Sequence, residues 1–154
     1  MMATQIKPAP AELYQEDFYV WTERQAELLR ARRFEDLDLE HLIEEVEELG
    51  DTKLSAVLND ARVVMEHLLK LQHSPATDPR NGRRATVREH RNRLEIELTP
   101  RLRQILQQEL PRAFRIACKS AAESMRDHGE HAAADTLPET CPYTADQITG
   151  DWLP

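Results

Sequence analysis

Lys53, Asp60 and His67 recur at seven-residue intervals, and Lys70 follows one helical turn later. A heptad step returns to the same edge of an α-helix about 10.5 Å further along, too far for these side chains to bond one another. Each therefore needs a partner from a neighbouring helix. Arg84, Arg88 and Arg91 are the obvious donors for Asp60, and they also line up as a ridge suited to phosphate or to an acidic partner. The structural alternative is a polar seam that fixes helix register, with arginine stems packed on the core and exposed ion pairs worth at most about 1 kcal/mol each. If the line does chemistry, His67 carries it, because its pKa moves readily across neutrality.

Other polar clusters are weaker. In "HLIEEVEELG" (41–50) the order His41-x-x-Glu44 is the reverse of the Glu-x-x-His used by dimetal bundles. On a helical wheel His41, Glu44, Glu45 and Glu48 fall opposite Leu42, Ile43 and Val46, so this stretch reads as a solvated acidic face. "RVVMEH" (62–67) has the Arg-x4-His spacing that resembles the motif of metal-free HEPN ribonucleases, although Arg62 lies about 140° round a helix from His67. His128 and His131 in "DHGEH" read as a helix end in water. No phosphate-binding glycine loop, nucleophile elbow or Ser-His-Asp pattern is recognisable. Neither metal nor cofactor is expected.

The elements that must position these groups are helices. Few Gly and aromatics and many Leu, Ala, Glu and Arg disfavour strands. A loose tail is expected over 1–12, then one helical domain over 13–154. A first helix carries Phe18, Trp21, Leu28 and Leu29, and Asp38 is an N-cap for the next. From Leu39 to Leu71 the apolar residues form one stripe if a single long helix runs through Gly50, which favours continuity over a break at "LGDT". "SPATDPRNG" (74–82) reads as a loop and Arg84 to Leu98 as a helix. Thr99 and Pro100 then form an N-cap and N1 pair. Pro111 is expected to kink or restart that fourth helix. In the turn-rich end, Tyr143, Ile148, Trp152 and Leu153 are available to pin the chain to the bundle. The sum is an all-α bundle of four to five helices around one long helix.

The net charge of -8 opposes wholesale attraction to nucleic acid or anionic lipid. Charge is also segregated: residues 35–51 carry nine carboxylates and no Lys or Arg, whereas 80–93 carry six arginines. No stretch approaches the roughly 20 apolar residues of a membrane span. Only Cys118 and Cys141 occur, without paired spacing, which suits a reduced cytoplasm.

Three stretches carry a family likeness. "LYQEDFYVWTERQAELLRARRFEDLDLEHLIEEVEELG" (from Leu13), "HLLKLQ" (from His67) and "CPYTADQITGDWLP" (from Cys141) together resemble the bacterial domain-of-unknown-function family DUF29, frequent in cyanobacteria, across nearly the full chain. The resemblance implies a small α-helical cytosolic protein and no activity. It departs from the family beside Gln72, where Leu71 and His73 replace a customary aromatic. His67 and Lys70 fall inside the "HLLK" match, which makes them the leading site pair. The expected function is an acidic interaction or regulatory module that binds another protein or itself. The alternatives are a ribonuclease using His67 with Arg84, Arg88 and Arg91, or a metal-dependent hydrolase. Nucleic acid could reach the basic ridge, while a membrane partner is not expected.

Overall fold

Four helices fall where the periodicity places them, and among the described residues three short ones are added to them. The computed structural model describes residues 10–154. Within them the chain forms α1 (Pro10–Glu16), α2 (Phe18–Arg30), a 3-10 turn (Phe34–Asp36) and α3 (Leu39–His73), then α4 (Arg80–Glu97), α5 (Pro100–Asp127), α6 (His131–Ala134) and α7 (Ala145–Thr149). No strand occurs among the described residues. The long helix is continuous through Gly50. Of the tail expected over 1–12, residues 1–9 lie outside the described residues, and Pro10 opens α1 at a position that needs no N–H donor.

The chain divides into two compact units, residues 1–51 and 52–154. In the first, Trp21 (1% exposed) is the centre: its ring meets Tyr14 edge-on at 4.9 Å and stacks near Phe18 at 5.7 Å. The indole N–H donates to Asp38 Oδ2 at 3.1 Å. Asp38 does precede α3, and its carbonyl accepts from the Leu42 N–H. Its carboxylate, however, is taken by Trp21 and by His41 Nδ1 at 2.8 Å rather than by helix N–H groups. Gln25, also buried, accepts the Asp38 N–H and so ties α2 to the start of α3.

In the second unit Val57, Ala61, Val64 and Leu68 of α3, Val87 and Leu94 of α4, and Leu106, Phe114 and Ala121 of α5 form the core, closed by Ile148 of α7. Two boundaries differ from the sequence reading. α4 starts at Arg80, so Asn81 and Gly82 sit in a helix's first turn instead of a loop. Pro79 occupies the cap position and its carbonyl accepts from the Arg83 N–H, which lets a turn-forming dipeptide continue as helix. Secondly, α5 runs through Pro111 without interruption. Pro111 and Gln107, whose carbonyl loses its partner, are both exposed, so water takes over that acceptor. Thr99 caps α5 as expected, accepting from the Leu102 N–H. α5 ends at Asp127, and Gly129 beyond its cap, with a φ of 78°, permits the Glu130 N–H to return to the Met125 carbonyl.

Candidate functional site

Two features of the surface stand out, one in each unit: an open cavity and an exposed apolar row. The first is an open cavity of about 820 Å³ in the second unit, between the end of α3, the start of α4 and the end of α5. Its walls include His67, Lys70, Arg83, Met125, His128 and Glu130. The pair singled out by the sequence, His67 and Lys70, is therefore together at one cavity. Lys70 is buried and donates to Glu66 Oε1 at 2.6 Å, while Ser120 Oγ donates to Glu66 Oε2 at 2.8 Å. Burial alone would raise the Glu66 pKa, but these two hydrogen bonds outweigh it and hold the carboxylate below its ordinary value.

His67 has no such partner. Its Nδ1 is buried without a hydrogen bond, which leaves Nε2 as the nitrogen on the cavity side. Burial, then the nearby Lys70 charge against the opposing pull of Glu66, lowers its pKa from 6.5, and Arg83 and His90 add to the shift. An unfolded chain thus takes up a proton at His67 before the folded one does. Stability from this residue is complete above pH 6.5 and is lost as pH falls through the lower folded value. Glu66 acts later, its contribution being lost only as pH falls below 4.5. Urea midpoints followed from pH 6.5 to 4.5 should decline less in His67→Gln than in the natural chain; parallel profiles would show that His67 is not the source.

The arginines expected beside Asp60 are elsewhere. Asp60 is buried, accepts from His90 Nδ1 at 2.6 Å and lies 3.9 Å from Arg93. On α4 the core positions Val87 and Leu94 have His90 and Arg93 on one flank and Arg84 and Arg88 about 60 to 100° round the other. Arg84 and Arg88 are exposed and line no part of the cavity. Arg91 is not on an exposed ridge at all: it is buried, and it donates to the carbonyls of Ile148 (2.9 Å), Gln147 (2.6 Å) and Trp152 (2.7 Å). Lys53 pairs at the surface with Glu97 at 2.7 Å. Arg62 faces a different cavity from His67, so the Arg-x4-His pair does not converge. Sequence reasoning missed Arg83 and Glu130. Arg80 and Arg83 donate to the carbonyls of Leu71 and Lys70, capping the end of α3. No spacing rule links Glu130 to them.

The second feature is the first part of α3. Leu39, Ile43, Val46 and Leu49 are 59, 49, 61 and 69% exposed, contrary to the stripe expected to face the core. The reason is that α1 docks instead on the side of the helix that carries His41 and Glu45. Tyr14 stacks on His41 at 4.0 Å and donates to Glu45 Oε1 at 2.6 Å, a bond that pushes the tyrosine pKa up to about 12. His41 and Glu45 are accordingly half-buried, whereas Glu40, Glu44, Glu47 and Glu48 remain in water as anticipated. The result is an apolar row bordered by carboxylates.

Among the described residues no group of three or more His, Cys, Asp and Glu side chains is placed to hold a metal, and both cysteines are free. No helix among them is long and apolar enough to cross a membrane. Neither the curated proteins nor the solved structures provide a match. The family model described as "Domain of unknown function DUF29" does match, over residues 13–153, and the chain belongs to that family.

Proposed function

We propose that this protein is an interaction module whose first unit receives a basic amphipathic helix of another protein along α3. One observation carries the reading: the exposed row Leu39, Ile43, Val46 and Leu49 lies within a segment holding nine carboxylates and no basic residue. Apolar area of this kind favours a partner surface, and the bordering charge selects one flanked by Lys or Arg. The same charge disfavours a second copy of the chain, which would bring like charges together. A role as a regulator or neutralising subunit fits a module of this size. The ribonuclease alternative draws less support, since Arg84 and Arg88 do not line the cavity that His67 lines and Arg91 is buried against the end of the chain.

Ile43 and Val46 are exposed, so Ile43→Asp with Val46→Asp leaves the helix intact while placing charge in the row. Pull-down from the host's own lysate, followed by reconstitution of the recovered protein, should give a complex that weakens with salt and is lost in the double variant. Absence of any partner, or binding indifferent to both substitutions, would refute the module. Light scattering separates the self-association outcome, in which the substitutions dissolve a homo-oligomer instead.

A further inference from the structure

The second unit holds unlike charges that face one cavity without meeting. Lys70 is neutralised by Glu66, and His128 Nδ1–H is committed to the Ser124 carbonyl at 2.7 Å. Arg83 and Glu130 are different. Arg83 spends Nη1 on the Lys70 carbonyl and keeps its other donors, and it senses the Glu130 charge yet forms no ion pair with it. Glu130 accepts from Ser74 Oγ through Oε1 at 2.9 Å, but its buried Oε2 has no partner. A buried acceptor left unmet is destabilising, so a donor is wanted there.

His67 supplies a third group. A buried N–H without an acceptor is rarer than a bare acceptor, which favours the tautomer with the proton on Nε2 and hence a neutral donor toward the cavity. Between these polar groups the wall is apolar, with Ala76, Pro79 and Met125. The volume, about 820 Å³, is in the usual range for small-molecule sites. A simple anion would meet Arg83 but also face Glu130 and the rim carboxylate of Asp78. A simple cation would face Arg83 and Lys70. Only a molecule bearing both signs satisfies the set.

We propose that this cavity binds a small zwitterion with an apolar substituent, of the pattern of an apolar α-amino acid. Its carboxylate is received by Arg83 and His67, its ammonium by Glu130, and its side chain lies against Met125 and Pro79. This site is independent of the α3 docking face and stands or falls separately.

The test is calorimetric titration of the full chain with L-leucine, L-methionine and L-phenylalanine. At least one should bind saturably. Its des-amino and decarboxy counterparts, for leucine 4-methylpentanoate and 3-methylbutylamine, should each bind at least about ten-fold more weakly, because each leaves one charged wall group unmet. Arg83→Gln and Glu130→Gln should each produce a similar loss, with helicity checked by circular dichroism. The ligand comparison needs no variant and holds even where a substitution impairs folding. No binding of any of the three at about 10 mM, or equal binding of a one-charge counterpart, overturns the proposal. Saturable binding of inorganic phosphate in competition with them also overturns it, in favour of a plain anion site.

Discussion

Arg91→Ala should lower the unfolding free energy by about 3 to 4 kcal/mol, among the largest losses available from one polar side chain here. The guanidinium is the link between α4 and the end of the chain, since Nε and Nη2 together serve three carbonyls in residues 147–152. Hydrogen bonds from a charged donor contribute about 1.5 to 3 kcal/mol each, and cutting them leaves carbonyl groups facing a buried stem. Burial pulls the arginine pKa down, with Asp151 opposing, so this cation sits where solvent helps it little. Arg91→Met separates bonding from packing. It keeps the apolar stem, and it should still lose most of the stability while hydrogen exchange quickens from Thr144 to Gly150. A methionine variant within about 0.5 kcal/mol of the natural chain would mean that stem packing alone matters at this site.

Trp21→Ala should act as strongly but locally. Removing a fully buried indole costs about 3 to 5 kcal/mol through lost burial and the cavity left behind. Among the described residues the buried set in the first unit is small: Trp21, Gln25 and Leu28 on α2. Little can close over the gap. The indole N–H also releases Asp38, which is held besides by the Gln25 contact to its backbone. Hydrogen exchange should accordingly show α1 and α2 opening while the α3 to α5 core at residues 57–121 keeps its protection. Uniform loss across both regions would show that the two units unfold as one. Trp21→Phe, which fills most of the volume but cannot donate to Asp38, should recover most of the loss, leaving a deficit of about 1 kcal/mol.

These two residues illustrate what was legible beforehand. Trp21 stood out as an apolar residue at helical spacing, but the same pattern marks Phe18 and Leu29, which are exposed, so the spacing alone did not single it out for burial. Arg91 lay in a basic run and resembled its neighbours Arg84 and Arg88, yet it turns inward. The helical wheel shows why: Arg91 is only about 40° from Val87, so the core side of α4 includes it. What no wheel supplies is the acceptor, because the carbonyls it meets lie more than fifty residues away along the chain.

The sequence by itself determined the helical content, the Thr99 cap of α5 and the family, and it favoured an unbroken α3 through Gly50 without deciding it. These are local matters of propensity, capping and 3.6-residue periodicity, together with stretches quoted whole. It also brought forward His67 and Lys70, one helical turn apart and therefore necessarily neighbours. Tertiary structure alone decided which helix covers which face. It gave Asp60 to His90, with Arg93 nearby, instead of to Arg84, Arg88 or Arg91, placed Arg83 and Glu130 at one cavity, and left the apolar row at the start of α3 uncovered. Periodicity marks a face as apolar, but only the path of the remaining chain decides what packs on it, and pairings across 30 to 60 residues depend on that path.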